Sequence, residues 1–206
     1  MPLIVEDLGR GVPYAVAHAR QKELLAARIA DEVGDTLLLV EHTPVITLGR
    51  RRTAADNVIA PEGLDVVEVE RGGDVTWHGP GQLVAYPVVY LPEGRQDLHR
   101  HLADLEEACI RTCADFGVEA GRDERNTGAW ASGRKIASVG IACRRWVCWH
   151  GLALNIDPDL ASFERINPCG FPAEIMTSMA RELGAAPPFD RVRERLTTHL
   201  GELLPG

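Results

Sequence analysis

Residues 71–87 read RGGDVTWHGPGQLVAYP and connect two runs of β-forming residues. The alternating run DVVEVE at 65–70 comes directly before this segment, and QLVAYPVVY at 82–90 overlaps its end, so both flanks predict strands. Residues 71–83 contain four glycines and one proline, which predicts an irregular loop whose backbone can approach a ligand closely. From the residues alone, a glycine-rich hairpin and a ligand-binding loop are equally good interpretations. The segment matches neither GxxxxGK[ST] nor GxGxxG, so it gives only a weak indication of phosphate binding.

Helices are predicted on both sides of this strand-loop-strand unit. Apolar residues recur at helical spacing, with glycine stops near two of the ends, in residues 13–31, 97–116 and 189–204. Further strands are predicted at 36–41, at 45–49 and in a strand-rich block at 128–156. Pro87 lies inside the run at 82–90, which predicts an edge strand or a bulge. This order predicts a mixed α/β fold, with a mixed sheet flanked by helices, and the length of 206 residues predicts one domain over 1–206.

Composition narrows the class of protein without naming its chemistry. The chain has 30 acidic and 22 basic residues, a formal charge of −8, which argues against non-specific binding to nucleic acid or to an anionic membrane. The first residues, MPLIVEDLGRG, lack a signal-peptide pattern, and no apolar run is long enough to span a bilayer. Five cysteines with no scaffold spacing indicate reduced thiols and a cytoplasmic location.

Two residues outside the loop are candidates for chemistry. Cys169 lies between a proline and a glycine in NPCG, whereas the other four cysteines fall in apolar helix or strand patterns. An exposed thiol is reactive, although an incidental loop cysteine is an equally good interpretation of the pattern. Lys135 enters the apolar strand IASVGIA, where burial or neighbouring charges can tune its charge state. Cys143, Cys148 and His150 suggest a metal site, but no second ligand cluster completes it, so we predict no metal.

The order of these motifs resembles the octanoyltransferases of lipoate biosynthesis. The matching stretches are HTPVITLGR, RGGDVTWHGPGQLVAYP, TGAWASGRKIASVGI, HGLALNI and INPCG, which extend from about residue 40 to residue 170. Trp77 departs from the pattern, since the family more often has tyrosine there, and the change removes a hydroxyl. The sequence FPAEIM after NPCG is also less glycine-rich than is usual in the family.

The resemblance implies the fold of the biotin and lipoate protein ligases. It also implies that octanoyl is transferred from acyl carrier protein to a lysine of lipoyl-domain proteins, namely glycine cleavage H protein and the E2 subunits of 2-oxoacid dehydrogenases. By motif match, Cys169 is the nucleophile that carries the acyl group as a thioester, and Lys135 is its partner and general base. The implied acyl-substrate residues are Arg71, Gly72, Gly73, Asp74, Val75, Thr76, Trp77, His78, Ser138, Val139, Gly140, Gly151, Leu152 and Ala153. No cofactor, nucleic acid or membrane is implied.

Elementary chemistry is compatible with these implied roles. An ammonium ~4 Å from a thiolate, at an effective dielectric of ~20, stabilises the charged pair by roughly 4 kcal/mol before desolvation is subtracted. His78 is an acid–base or orienting candidate, and Val139, Ile141 and Leu152 are candidates for an apolar acyl slot. Because acyl carrier proteins are acidic, we expect basic clusters near the site: Arg50, Arg51, Arg52, Arg134, Arg144 and Arg145.

Two alternatives remain open. One is an ATP-dependent lipoate or biotin protein ligase on the same fold, which forms an acyl-adenylate and needs no nucleophilic thiol. The other is a non-catalytic protein that binds a carrier or a lipoyl domain. The presence of both Cys169 and Lys135 favours the thioester-using transferase over each of them.

Overall fold

The computed structural model describes residues 3–205, except for the side chain of Cys169. The described helices are α1 (Tyr14–Ile29), α2 (Leu98–Asp115), α3 (Met179–Leu183) and α4 (Phe189–Leu203). The described strands are β1 (Ile4–Asp7), β2 (Thr36–Val40), β3 (Val45–Leu48), β4 (Asp65–Glu68), β5 (Val75–His78), β6 (Gln82–Tyr90), β7 (Ala120–Gly121), β8 (Gly128–Ala131), β9 (Arg134–Arg144) and β10 (Val147–Asn155). In this part of the chain, no helix combines the length and the apolar character that crossing a membrane requires.

The main sheet has seven strands in the order β1-β2-β6-β10-β9-β8-β7. Its β1 and β2 are parallel, while the other neighbours are antiparallel, so the sheet is mixed as the sequence predicts. A second sheet of three strands has the order β4-β3-β5, in which β3 and β4 are parallel. The fold class predicted from the sequence is therefore confirmed.

Both faces of the main sheet are covered, and β2 shows why. Leu37 and Leu39 belong to one core cluster with Leu105 of α2 and Leu196 of α4. The alternate residues of β2, Leu38 and Val40, belong to a second cluster with α1 and with residues next to the small sheet. Side chains alternate between the two faces of a strand, so a continuous apolar run such as TLLLV marks a strand that is buried on both sides.

Two details of the strands differ from the sequence-based expectation. The structure has a strand, β5, inside the segment predicted to be a loop, because Val75 and Trp77 pack into the core of the small sheet. Pro87 does not lie on an edge, since β6 is paired on both sides and Pro87 is the register partner of Leu37. On the β10 side the ladder is interrupted between the Cys148–Val89 and Leu152–Ala85 pairs, opposite Pro87. The missing N–H of proline is thus accommodated by a gap within the sheet.

Candidate functional site

A cavity of about 600 Å³ lies where the small sheet meets β9 and β10 of the main sheet. This volume is in the usual range for small-molecule sites. Most residues that the sequence assigns to substrate binding line it: Arg71, Gly72, Gly73, Asp74, Val75, Thr76, His78, Ser138, Val139, Gly140, Gly151, Leu152 and Ala153. The apolar part of the wall comes largely from Val139, Ile141 and Leu152, of which Val139 and Leu152 are register partners.

The loop after β4 is fixed in place by Arg71. Its guanidinium folds back and donates to the carbonyl of Asp74 at 2.8 Å and to both oxygens of Thr47, on β3, at 2.9 and 3.0 Å. The N–H of Gly72 donates to the carbonyl of Ile141 on β9 at 2.8 Å. These bonds join the small sheet to the main sheet and hold the loop against the cavity.

Glycine is required at position 49, where the loop after β4 passes close to the end of β3. A Cβ on Gly49 would lie 2.4 Å from the carbonyl oxygen of Gly73, which no side chain tolerates. The carboxylate of buried Asp74 accepts from Asn57 Nδ2 at 3.0 Å and from Arg51 at 3.2 Å. The loop is therefore a rigid wall, as a binding surface requires.

Lys135 is on the second position of β9 and is 3% exposed. Its ammonium donates to Asn126 Oδ1 at 2.5 Å and lies 5.9 Å from the centre of the Trp130 ring. Gly128 leaves room for the lysine stem, because a Cβ there would lie 2.8 Å from Lys135 Cε. Lys135 is thus a buried lysine on the cavity wall, and the sequence-based expectation that its stem lies against the core agrees with this position.

The backbone around Cys169 is part of a short 3-10 helix, Pro168–Gly170. Backbone hydrogen bonds fix the chain before and after this helix. The N–H of Asn167 donates to the carbonyl of Asn57 at 2.7 Å, and the N–H of Thr177 donates to the carbonyl of Lys135 at 3.0 Å. Met176 also forms an isolated bridge with Lys135. The Cys169 side chain lies outside the described residues, so its predicted pairing with Lys135 stays a prediction.

Trp77 is placed apart from the other predicted substrate residues. Its side chain is 3% exposed and packs edge to face with Phe163 at 5.2 Å in the core of the small sheet. The residue alternates with Thr76 and His78, which line the cavity, so its side chain points to the opposite face of β5. The hydroxyl that a tyrosine would bring is thus missing from a core position and not from the cavity wall.

Buried aromatic residues, namely Tyr14, His78, Tyr86 and His150, line part of the cavity, and His42 is hydrogen-bonded to Tyr86. Burial lowers the pKa of His42 to about 4 and that of His78 to about 3, so both rings are neutral near pH 7. His78 Nδ1 donates to Gln82 Oε1 at 2.7 Å, which leaves Nε2 as the acceptor. His42 donates from Nδ1 to the carbonyl of Val12 at 3.0 Å and accepts from the Tyr86 hydroxyl at 2.9 Å. These hydrogen-bond partners fix which nitrogen of each neutral ring carries the proton.

Several lining residues are absent from the sequence-based set. They are Tyr14, Tyr86, Leu102, Asn126, Thr127 and His150. His150 directly precedes Gly151 in HGLALNI, and a histidine inside an apolar strand is the one signal that pointed to it. The others come from segments distant in the chain, and only the fold brings them together.

The basic residues expected near the site do not form one surface. Arg50 and Arg51 line the cavity, and Arg52 is exposed beside them. Arg134 and Arg144 are the two ends of β9, which at ~3.3 Å per residue separates them by about 33 Å. Arg145 lies in the hairpin turn beyond Arg144. Of these six residues, Arg50 and Arg51 are the ones that line the cavity.

Comparison with solved structures defines the class of fold. A lipoate-protein ligase A bound with ATP superposes with a TM-score of 0.74 at 16% identity, over 98% of this chain and 84% of that one. A biotin protein ligase from Aquifex aeolicus in complex with biotin and ATP gives a TM-score of 0.61 at 12% identity, over 97% and 69%. At such low identity the likeness shows the fold alone, which is that of the lipoate and biotin protein ligases.

The sequence comparisons show the family within that class. Residues 13–201 match the lipoyl protein ligase A/B catalytic domain, and the chain belongs to this family. It is 46% identical over 202 residues to an octanoyltransferase of Geobacter metallireducens, covering 98% of this chain and 93% of that protein. It is 51% identical over 160 residues to an octanoyltransferase of Gloeobacter violaceus, covering 77% and 72%.

Proposed function

We propose that this protein is an octanoyltransferase that moves an octanoyl group from octanoyl-acyl carrier protein to a lysine of lipoyl-domain proteins. The observation that carries the proposal is a cavity with a buried lysine, Lys135, at one part of its wall and an apolar strand pair at another. Kinship with octanoyltransferases over nearly the whole chain supports the same acyl group. The acceptors are glycine cleavage H protein and the E2 subunits of 2-oxoacid dehydrogenases, and the reaction is the first step of lipoate biosynthesis.

The reaction has two acyl transfers with Cys169 between them. The Cys169 thiolate attacks the carbonyl carbon of the donor thioester, and the phosphopantetheine sulfur leaves and takes a proton from the Lys135 ammonium. The acceptor amine then attacks the new thioester, the Cys169 sulfur leaves, and an amide forms. Lys135 stabilises the thiolate as an ammonium and, when neutral, takes the proton that the amine loses. The first transfer exchanges one thioester for another and the second forms an amide, so no nucleotide is needed.

The strand pair β9–β10 is suited to hold the acyl chain. Burying one methylene contributes ~0.8 kcal/mol, so an eight-carbon chain contributes roughly 4–5 kcal/mol after imperfect burial is allowed for. One methylene more or less changes the rate about 10–200-fold at most. We therefore expect a preference for octanoyl that tolerates neighbouring chain lengths.

An ATP-dependent ligase is the main competing function, since structures of this fold include ATP complexes. The two are separated by a transfer assay with octanoyl-acyl carrier protein or with octanoate and ATP, using a purified lipoyl domain as acceptor. We expect product from the carrier without ATP, no product from octanoate with ATP, and loss of transfer in Cys169→Ser. ATP-dependent use of octanoate by both the wild type and Cys169→Ser would overturn the proposal.

The remaining expectations extend the same proposal. We place the reaction in the cytoplasm, as the cysteine pattern predicts. We also propose that residues 1–206 act as one domain. The described ends of the chain support this, since β1 pairs with β2 and Arg95 donates to the carbonyl of Leu203 at 3.1 Å.

A further inference from the structure

Three side chains from separate elements converge beside the cavity. They are His18 of α1, Glu70 at the start of the loop after β4, and His150 of β10. Glu70 Oε2 lies 2.9 Å from His18 Nε2 and 3.7 Å from His150 Nε2. All three ligand atoms lie within 4.8 Å of one another.

His150 is the unusual member of this group. Its side chain is 1% exposed, and its Nε2 has no hydrogen-bond partner among the described residues. A buried polar nitrogen without a hydrogen-bond partner destabilises the folded protein, so its retention needs a reason. The backbone of His150 also has a positive φ of 60°, uncommon for a residue other than glycine within a strand. Nε2 is therefore held in an unfavourable place where it faces Glu70.

We propose that His18, Glu70 and His150 form a binding site for one divalent transition-metal ion, with Zn²⁺ the best-suited ion. Two imidazole nitrogens and one carboxylate oxygen are one of the ligand sets that zinc uses where three ligands come from the protein. With bonds of ~2.0 Å, tetrahedral ligand atoms lie ~3.3 Å apart, so closure requires mainly that the two histidines approach each other. Since His150 lines the cavity, the fourth position would face it.

Lys22 sets the strength of this site. Its ammonium lies 3.1 Å from Glu70 Oε1, leaving Oε2 for the histidines. A cation beside the carboxylate opposes a second cation, so we expect moderate affinity that rises when Lys22 is neutralised. Without a metal, the same contacts would serve only to connect α1 to the loop after β4.

The proposed metal site does not depend on the proposed acyl transfer.

The test is a titration of the full-length, tag-free protein, freed of metal with a chelator, with Zn²⁺ by calorimetry and with Co²⁺ by absorption. We compare the wild type with His18→Gln, Glu70→Gln and Lys22→Met, and use His99→Gln as the matched control, because His99 is exposed on α2. Circular dichroism verifies that each variant is folded.

We expect one ion per chain in the wild type and in His99→Gln. We expect affinity at least ~100-fold weaker in His18→Gln and Glu70→Gln, beyond the 10–100-fold effect of losing an outer partner, and several-fold tighter in Lys22→Met. The Co²⁺ complex should lack the sulfur-to-cobalt charge-transfer band that cysteine ligands produce. No binding by the wild type, equal binding by wild type and His18→Gln, or a cobalt spectrum with thiolate ligation would each overturn the proposal. A wild-type cobalt spectrum with thiolate bands overturns the proposal even if a variant does not fold, and His18→Gln and Glu70→Gln each test the site separately.

Discussion

Lys135 is a buried lysine whose position depends on a few specific contacts. It follows the tight turn at 132–133, its carbonyl accepts from Thr177, and its ammonium donates to Asn126. Fixing a long flexible side chain in this way costs conformational entropy, which indicates a functional role for the lysine. In the proposed reaction this purpose is to stabilise a thiolate and then to take a proton.

Replacing Lys135 by methionine tests that role. Methionine keeps the length and the apolar stem but has no charge and no proton to exchange. We expect Lys135→Met to reduce octanoyl transfer at least ~100-fold in single-turnover assays, as expected for loss of a general base. Arg134→Met, one position earlier on the same strand, is the matched control and should stay near the wild-type rate. Equal activity of the two variants would contradict the assigned role.

His101 of α2 allows a test of how burial controls charge. It is 2% exposed, and neither ring nitrogen has a hydrogen-bond partner within the described structure. Burial lowers its pKa from 6.5 to about 4, so the unfolded chain binds this proton at a higher pH than the folded protein does. The stability due to the neutral ring is therefore present above pH 6.5 and is lost as the pH falls towards 4, by up to ~3 kcal/mol.

A leucine at this position removes the titration. We expect His101→Leu to be more stable than the wild type at pH 5 and to lose less stability between pH 6.5 and 4, as measured by urea unfolding. His99→Leu, the exposed neighbour on the same helix, should retain the wild-type pH dependence. If the pH slope is the same in both variants, the account of His101 is wrong.

At the scale of elements, the strand pair β9–β10 forms the cavity and depends on close backbone packing. Gly151 and Pro87 both lie in the gap of the β6–β10 ladder, between the Cys148–Val89 and Leu152–Ala85 pairs. A Cβ on Gly151 would lie 2.2 Å from the carbonyl oxygen of Ala85 and 2.7 Å from Pro87 Cδ. The proline, the gap and the glycine therefore belong to one feature of the sheet.

Gly151→Ala tests this feature. We expect it to lower the free energy of unfolding by ~2–4 kcal/mol, since the new methyl group meets backbone that cannot move aside. Gly201→Ala is the matched control, because Gly201 is in α4 with nothing within 4 Å of its Cβ position. It should raise stability by up to ~1 kcal/mol through helix propensity. A loss of similar size in both variants would contradict the packing argument.

The sequence predicts elements better than it predicts their contacts. Helices expected at 13–31, 97–116 and 189–204 are observed at Tyr14–Ile29, Leu98–Asp115 and Phe189–Leu203, because amphipathic periodicity is a local signal. The glycines on both sides of β5 led to the prediction of a loop where the structure has a strand. The orientation of Trp77 could not be predicted, because it depends on whether that stretch is a strand at all. His18, Glu70 and His150 are far apart in the chain, so no local sequence pattern predicts that they lie together.

At the scale of the whole molecule, the charge of −8 makes the location of basic residues informative. An acidic carrier is repelled by most of an acidic surface, so a local basic cluster at the cavity mouth would guide it there. Arg50 and Arg52 are exposed members of that cluster and are suitable for substitution. Arg51 is left intact because it forms a salt bridge with buried Asp74.

The double variant Arg50→Glu/Arg52→Glu tests the docking surface. We expect kcat/KM for octanoyl-acyl carrier protein to fall about 10-fold or more at low salt, with the difference from wild type shrinking as salt screens the charges. Arg144→Glu/Arg145→Glu makes the same change of charge at the β9–β10 hairpin, whose arginines do not line the cavity, and should have a smaller effect. Equal losses in the two double variants would place the carrier elsewhere.

The most direct test of the central claim is the mass of the intact protein after incubation with octanoyl-acyl carrier protein and no acceptor. The account predicts the addition of one octanoyl group, located on Cys169 by peptide mapping, released by a lipoyl-domain acceptor and absent in Cys169→Ser. A protein that transfers octanoyl to the acceptor but never carries it on Cys169 would contradict the account.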